Sequence, residues 1–491
     1  MGTQRYIIKA CKTREIIIMN ERILVFLKHD CPTCELILPL LADIQKNTSA
    51  LKIIVQDNPN LFNDLDVQED SNLEISFQHE IETVPTVVKI ENKSETSRLI
   101  GWDKQEWKKM FNFSEENYNL PDRKPGCGSK SVESGVFEKL VVKFGGIKFS
   151  SRNLPINKFE DEIEFCFERG WSDGLPVVPP TKERVYLMLQ GTQRDPSESL
   201  GLMPPNLQPC TVEKVAINSV MAGCKPEFLP VVIASVEAAL DPSYCLHGLL
   251  ATTWLSGPII VVNGDIRKKI NMNWQGNVLG QGNRANSTIG RALQLTIRNV
   301  GGGKPQEVDQ ATFGTPSKLG FCIAEDESSP WTTLAEDNGF DRSVSTVTLL
   351  SADGPVGVID QNSRKPESLI KSISGSLRII NHADMANASD TIVVIGPEHG
   401  NVFDRSGWDK KTTAEALYKE TLVPAGGNFG MITTDLDGGA ETDKKNVPKF
   451  RNSGITLIRA GGAAGLFSAI IPGWLMNGEA GTNPVTKEIK N

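Results

Sequence analysis

The chain has 491 residues, a hydrophobic fraction of 39% and a formal net charge of −8. This length exceeds one ordinary core and predicts two or three domains, and the acidic balance argues against nucleic acid or an anionic membrane as a partner. The apolar stretches 231–240 and 466–476 are too short and interrupted to span a membrane. Nine cysteines, an odd number, fit a reducing cytoplasm better than a secreted disulfide framework.

The chain begins with a predicted N-terminal tail over residues 1–20. Its apolar run 16–19 is closely flanked by charges and is therefore not a signal-peptide core. Because Met19 directly precedes the first predicted strand, either Met1 or Met19 fits as the start. The run 23–28 is typical of a buried strand, 35–45 has helical apolar spacing with a kink expected at Pro39, and 51–56 reads as a second strand.

The next elements are a partly helical segment at 62–79, a third strand at 87–90, a hairpin partner at 98–100 and a closing helix at 103–111, which gives the order β-α-β-α-β-β-α. The motif Cys31-Pro-Thr-Cys34 lies at the first strand-to-helix turn. Free N–H groups and the helix dipole favour a thiolate there, so the pKa of Cys31 is expected to fall from about 8.5 towards 7 or lower. Cys34 lies within reach to resolve a mixed disulfide.

Together with Val84-Pro85-Thr86 before the third strand, these features resemble the thioredoxin/glutaredoxin superfamily over residues 21–112. The resemblance implies a redox-active CxxC, with Pro85 in the cis form and packed against it. Asp30 stands where thioredoxins have tryptophan, which weakens an identification as a general thioredoxin.

Residues 113–157 are polar, rich in Lys, Ser, Asn and Pro, and are predicted to be a linker. Within them Cys127 lies between Gly126 and Gly128, which predicts mobile backbone. A cysteine on such a tether could relay electrons from Cys34 to a thiol of the following domain, or protect that thiol as a disulfide. A solvent-exposed bystander is an equally good interpretation.

Residues 158–491 are predicted to form one large α/β domain, because short apolar strands alternate with helices. The predicted strands are 259–263, 346–351, 391–396 and 455–459, and the predicted helices are 211–221, 226–240, 286–299 and 412–421. Two of these strands end alike, in Asn-Gly-Asp and in Gly-Pro-Glu, which would fit a duplication. The fold class of the whole chain is therefore α/β, with an N-terminal thioredoxin-like fold and a large domain of mixed sheets and helices.

Cys224 is the best nucleophile candidate in the large domain. Gly223 suits the end of one predicted helix and Pro226 the first turn of the next, so Cys224 is expected at a helix start beside Lys225. The helix start and the positive charge of Lys225 both favour a thiolate. Glu227 either complements the helix dipole or acts as an acid/base. A buried structural cysteine is the competing interpretation.

A glycine-rich loop leads into a helix over residues 276–298, where free N–H groups suit an anion. Arg284 and Arg291 lie seven residues apart and so near one helical face, and Asp173 lies on a rigid Gly/Pro loop. These three residues are the predicted substrate-binding set; a solvated basic stripe is the alternative. The sequence has no nucleotide fingerprint and no regular zinc spacing, so no metal ligand is predicted.

Three strings of the large domain, AGCKPEFLPVV, GNRANSTIGRALQLTIRNVGGG and GGAAGLFSAIIPGW, resemble an uncharacterised bacterial family. That family is associated with proteins that carry a UGSC selenocysteine motif. The resemblance brings no established reaction and assigns no catalytic residue. The UGSC motif is absent, and Cys127-Gly-Ser129 matches it only in part. Besides a redox-active disulfide, selenium or a soft metal is therefore not excluded as a cofactor.

Three functions are weighed. The leading hypothesis is a cytoplasmic thiol-dependent oxidoreductase in which the thioredoxin-like module reduces Cys224 after it has acted on a small, anionic substrate. An external dithiol or a thioredoxin reductase-like protein would supply electrons. The second is a non-redox lyase or hydrolase that uses Glu227, Asp173 or a histidine (His247 or His382), with a regulatory thioredoxin-like domain. The third is a thiol protein that binds a soft metal. Each is compatible with a homo-oligomer.

Overall fold

A computed structural model describes residues 21–62, 64–114, 118–157, 159–381, 389–425, 445–474 and 482–490. The predicted tail over 1–20 lies outside these residues. The chain divides into two compact units between Phe149 and Ser150. Each unit has helices and sheets, and the fold class is α/β.

The first unit is built around one five-stranded sheet. Its described strands are β1 (Glu21–Leu27), β2 (Leu51–Val55), β3 (Val67–Glu69), β4 (Thr83–Val84), β5 (Thr86–Glu91), β6 (Ser94–Ile100), β7 (Trp102–Asp103), β8 (Arg123–Lys124) and β9 (Cys127–Gly128). Its described helices are α1 (Pro32–Leu36), α2 (Leu38–Asn47), α3 (Glu74–Gln78), α4 (Lys104–Phe111) and α5 (Phe137–Phe144). The sheet order is β3-β2-β1-β5-β6, in which β1, β2 and β3 are parallel while β5 is antiparallel to β1 and β6 to β5.

The central strand β1 explains why the sheet forms here. Val25, Phe26 and Leu27 are all fully buried, as expected for a central strand covered on both faces. The predicted helix over 35–45 is instead two helices, α1 and α2, that break at Ile37. Pro39 lies in the first turn of α2, where its missing N–H costs no helical hydrogen bond.

Much of the predicted linker folds onto the first unit. Strands β7 and β8 pair, as do β4 and β9, and the rings of Phe137 and Phe144 lie against Phe77 of α3. The buried Gln56 amide donates to Ser129 Oγ at 2.6 Å and accepts from the N–H of Lys130 at 3.0 Å. Some of the polar groups that made this segment look like a linker are therefore hydrogen-bonded inside the unit.

The second unit contains two larger sheets. Its described strands are β10 (Ser199–Met203), β11 (Gln208–Thr211), β12 (Gly257–Asn263), β13 (Cys322–Ala324), β14 (Thr346–Ala352), β15 (Val356–Ile359), β16 (Ser389–Ile395), β17 (Leu422–Ala425), β18 (Lys445–Pro448), β19 (Phe450–Arg459), β20 (Phe467–Pro472) and β21 (Val485–Glu488). Its described helices are α6 (Glu162–Glu168), α7 (Lys182–Leu189), α8 (Val212–Ala222), α9 (Leu229–Leu240), α10 (Leu246–Ala251), α11 (Ile266–Lys269), α12 (Arg284–Thr296), α13 (Leu334–Asp337), α14 (Pro366–Ile379), α15 (Pro397–Arg405) and α16 (Lys410–Glu420).

The two sheets, β13-β12-β14-β21 and β15-β20-β16-β19, share a core. Ile259 and Val261 of β12 belong to one buried cluster with Ile392 and Val394 of β16. The alternate residues of β16, such as Val393, instead pack in a second cluster with α14, α15 and α16, as the two-residue period of a strand requires.

The two sheets also repeat one topology. In each, a central strand (β12 or β16) has a parallel neighbour later in the chain (β13 or β19) and an antiparallel neighbour on its other side (β14 or β20). The fourth strands are exchanged: β15 follows β14 but pairs with β20, and β21 follows β20 but pairs with β14. This arrangement fits the duplication that the similar strand ends indicated.

Within the described residues, no single helix is long and apolar enough to span a membrane. The helical segments Pro226–Leu240 and Pro242–Ala251 have that length and composition only when taken together, and they are bent by 70° relative to each other.

Candidate functional site

The strand-to-helix turn of the first unit positions Cys31. Cys31 has an extended backbone and is the N-cap of α1, so its Sγ accepts the N–H of Cys34 at 3.2 Å. The Cys31 carbonyl accepts the N–H of Glu35 at 3.0 Å and so starts the helix. The sulfur therefore lies where the helix presents its unpaired N–H groups.

The strand before Pro85 approaches the same sulfur. Cys31 Sγ lies 3.4 Å from the carbonyl oxygen of Val84, and the Val84–Pro85 peptide bond is cis, as the superfamily resemblance implied. Cys31, Cys34 and Pro85 are thus brought together as the sequence predicted.

Cys127 is a third cysteine at this site. Strand β9 pairs antiparallel with β4, and Cys127 lies directly opposite Val84 in the register. Cys127 thus lies beside Cys31, close enough for each thiol to shift the pKa of the other. The predicted mobile tether is not what the structure has, because Cys127 is part of a strand pair and packs against the core of the first unit.

Residues 123–128, here called the strap, are fixed to the CxxC by two further contacts. Thr33 Oγ1 donates to the carbonyl of Pro125 at 2.6 Å, and Lys124 Nζ donates to the carbonyl of Pro32 at 2.9 Å. Gly126 is needed for close approach, since a Cβ there would lie 2.5 Å from Thr83 Cγ2 and 2.7 Å from the carbonyl oxygen of Val84. The glycine permits contact here; it does not supply mobility.

The three thiols differ in proton affinity. The Cys34 thiol, its backbone N–H and the Cys127 thiol all hydrogen-bond to Cys31, and they lower the pKa of Cys31 to about 5 although burial opposes them. Burial, followed by the bond to Cys31, raises the pKa of Cys34 far above its ordinary value and raises that of Cys127 as well. At neutral pH these shifts favour a thiolate on Cys31 and protonated thiols on Cys34 and Cys127.

Cys224 of the second unit has different surroundings. It follows α8 and the left-handed Gly223 (φ 87°), but the α-helix after it, α9, begins only at Leu229, behind a single 3₁₀ turn. Its Sγ donates to the carbonyl of Thr288 at 3.4 Å. Burial raises the pKa of Cys224 to about 12, although a hydrogen bond from the Thr288 side chain and the nearby charges of Arg284 and Arg291 oppose the shift. The expected thiolate is therefore not what these surroundings favour.

The predicted substrate-binding residues bond to one another and to the backbone. Arg291 holds Asp173 through two hydrogen bonds of 2.7 and 2.8 Å. Burial opposes ionisation of Asp173, but the bonds and charge of Arg291 outweigh it and lower its pKa. Arg284 donates through Nε to the carbonyl of Gly223 at 2.9 Å. The structure brings Asp173 and Arg291 together as a structural ion pair.

The other predicted acid/base residues are Glu227, His247 and His382, and the structure does not place them in a candidate site. Glu227 is exposed, with its carboxylate 3.7 Å from Lys225 Nζ. His247 is also exposed, and His382 lies outside the described residues. Sequence reasoning did not single out Asp353, a buried carboxyl whose pKa burial raises to about 6 against hydrogen bonds from Ser256 and Trp254. A lone aspartate after a strand offers no signal that would have identified it.

The glycine-rich loop that was predicted to bind an anion forms an open pocket of about 460 Å³. The polar side chains that line it are carboxamides, from Asn271, Asn273, Gln275, Gln281 and Asn283, and Trp274 lies among them. No charged side chain of the described residues lines the pocket. This lining differs from the phosphate or carboxylate clamp that the sequence predicted.

Metal-binding groups were also sought among the residues that the structure describes. No set of three or more His, Cys, Asp or Glu side chains is arranged there to hold a metal ion.

Comparisons with known proteins add little. No family model matches the chain, and no curated protein matches it. Among solved structures, the chain is similar to StoA from Bacillus subtilis with 22% identity, over 19% of this chain and 83% of that one, at a TM-score of 0.17.

Proposed function

We propose that the first unit carries out thiol–disulfide exchange, with Cys31 as the attacking thiolate. The observation that carries the proposal is the environment of the Cys31 sulfur, which caps α1 and receives the Cys34 N–H at 3.2 Å. These contacts lower the pKa of Cys31 to about 5. A thiolate at neutral pH is the form that attacks disulfides.

The exchange runs in two steps. The Cys31 thiolate attacks one sulfur of a substrate disulfide, forms a mixed disulfide and releases the first substrate thiolate, which takes up a proton. Cys34 then loses its proton and attacks Cys31 Sγ, which releases the second thiolate and forms the Cys31–Cys34 disulfide. Two electrons pass from the cysteine pair to the substrate, and an external dithiol must return them.

The proposal rests on the first unit alone. Cys224, the thiol that the first unit was expected to reduce, is buried, donates to a carbonyl and has its pKa raised to about 12. Arg291, which was expected to hold an anionic substrate nearby, is bonded to Asp173. These surroundings lend no support to Cys224 as the thiol that the module reduces.

A stoichiometric reaction tests the proposal. Reduced full-length protein is mixed with oxidised glutathione, and the release of reduced glutathione is followed. We expect wild type to release two equivalents more than Cys31→Ser, because one disulfide forms for each pair of thiols oxidised. Cys166→Ser, which removes a buried thiol of the second unit, should match wild type. Equal release from wild type and Cys31→Ser would refute the proposal.

A further inference from the structure

Cys127 occupies the edge of β4, the strand that leads to Pro85. Such an edge offers main-chain groups to which an extended peptide can pair. Here the chain's own β9 takes that place, and its pairing sets Cys127 opposite Val84, whose carbonyl oxygen lies 3.4 Å from Cys31 Sγ. The backbone therefore presents Cys127 to Cys31 as a docked peptide would present a cysteine of its own.

The strap also covers the reacting sulfur. Cys31 is 0% exposed, while Thr33 and Lys124 fasten the strap across the CxxC. Cys34 is likewise 0% exposed, whereas Cys127 is partly exposed. Of the two cysteines beside Cys31, Cys127 is thus the one that is partly exposed, so water is close at hand to accept its proton.

Building on the proposed thiol–disulfide exchange, we propose that Cys127 is a second resolving cysteine, which closes a Cys31–Cys127 disulfide in competition with Cys34. The two resolving thiols approach Cys31 from different elements, Cys34 from α1 and Cys127 from β9. The Cys31–Cys127 disulfide would fix the strap over the CxxC and so give an oxidised form in which Cys31 is protected from further attack.

The step balances without an added oxidant, because the substrate disulfide has already supplied the mixed disulfide at Cys31. The Cys127 thiol releases its proton to water, and its thiolate attacks Cys31 Sγ. The bond between Cys31 and the substrate sulfur breaks as the Cys31–Cys127 bond forms. The substrate leaves as a thiolate and takes up one proton.

Peptide mapping of Cys34→Ser tests the inference. The reduced full-length variant is treated with oxidised glutathione, quenched with acid, alkylated with N-ethylmaleimide and digested with trypsin without reduction. Cleavage after lysine and arginine puts Cys31 in the peptide 29–46 and Cys127 in 124–130, since the Lys124–Pro125 bond resists trypsin. We expect the two peptides to be joined by a disulfide. We also expect the variant to release two equivalents of reduced glutathione more than Cys31→Ser releases.

A 29–46 peptide that carries glutathione beside an alkylated 124–130 would overturn the inference, since Cys31 would then have attacked while Cys127 failed to resolve. If the proposed function itself fails, both cysteines of the 29–46 peptide will instead be alkylated in wild type.

Two double variants serve as controls. Cys34→Ser/Cys127→Ser should keep glutathione on Cys31 and release one equivalent of reduced glutathione. Cys34→Ser/Cys245→Ser, which removes another partly exposed thiol, should match Cys34→Ser. If Cys34→Ser loses its folded circular dichroism spectrum, Cys34→Ala replaces it.

Discussion

Cys31 and Cys224 have similar sequence settings but opposite environments. A proline follows each at the start of a helical turn, Pro32 directly and Pro226 after one residue. Each sulfur lies 3.4 Å from a carbonyl oxygen, that of Val84 for Cys31 and that of Thr288 for Cys224, but Cys31 Sγ also accepts the N–H of Cys34 at 3.2 Å. The pKa of Cys31 is lowered to about 5, and that of Cys224 is raised to about 12.

The difference shows that proximity to a helix start does not by itself produce a thiolate. Donors must point at the sulfur, and at Cys31 hydrogen bonds from Cys34, Cys127 and Thr33 together outweigh the cost of burial and lower the pKa. At Cys224 burial dominates and raises the pKa, because the opposing influence of the Thr288 side chain and of the two nearby arginines is too weak to offset it. Local sequence predicts a helix end; tertiary contacts decide which atoms face the side chain.

Thiol reactivity should show the largest effect. At pH 7 we expect Cys31 to be ionised and Cys224 protonated, with thiolate populations that differ more than about a thousandfold. Difference absorbance near 240 nm between reduced wild type and Cys31→Ser should titrate near pH 5, while the difference between wild type and Cys224→Ala should stay flat through pH 9. A Cys224 signal near neutral pH would remove the contrast and revive Cys224 as a nucleophile.

The ion pair beside Cys224 provides the next test. Arg291→Ala removes both bonds to Asp173 and those to the carbonyls of Leu175 and Pro176, and leaves a largely buried carboxylate without its cation. We expect a loss of about 2–4 kcal/mol of unfolding free energy, measured by urea denaturation. Arg284→Ala is the matched control: it removes one bond from an exposed side chain and should cost less than about 1 kcal/mol. An unchanged stability in Arg291→Ala would mean that Arg291 is available to a ligand.

Much of the fold could be predicted from local pattern. The helices expected at 211–221 and 412–421 are α8 and α16 within two residues, because apolar spacing and caps are local signals. Cys31, Cys34 and Pro85 could be placed because one motif and one proline determine their geometry together. The position of Cys127 could not, since it depends on pairing with a strand more than 40 residues earlier, and its glycines resemble those of a loop.

Gly126 tests whether the strap shields Cys31. Gly126→Ala puts a methyl group against Thr83 and Val84, and such overpacking costs about 1–3 kcal/mol. Part of that cost should open the strap and raise the iodoacetamide alkylation rate of Cys31 about tenfold, because 1.4 kcal/mol corresponds to a factor of ten. Gly128→Ala is the matched control, since a Cβ there meets nothing within 4 Å. Equal rates in the two variants would show that the strap does not limit access.

The pH dependence of stability should have opposite signs for the two cysteines. The ordinary pKa of each thiol is 9.0. Between about pH 5 and 9 the unfolded chain keeps the proton that folded Cys31 has lost. The contribution of Cys31 to the unfolding free energy therefore increases as the pH rises and is lost as the pH falls towards 5. The slope is at most about 1.4 kcal/mol per pH unit. Folded Cys224 keeps its proton above pH 9 when the unfolded chain loses it, so its contribution is complete below pH 9 and declines towards pH 12.

Urea unfolding of the reduced protein at pH 6, 8 and 10 separates the two signs. The stability gap between wild type and Cys31→Ser should widen from pH 6 to 8. The gap between wild type and Cys224→Ala should be constant over that interval and narrow at pH 10. If instead the Cys31→Ser gap stays constant from pH 6 to 8, the hydrogen bonds at Cys31 do not hold a thiolate in the folded state. The two cysteines would then differ only in position, and the chemical contrast between them would be lost.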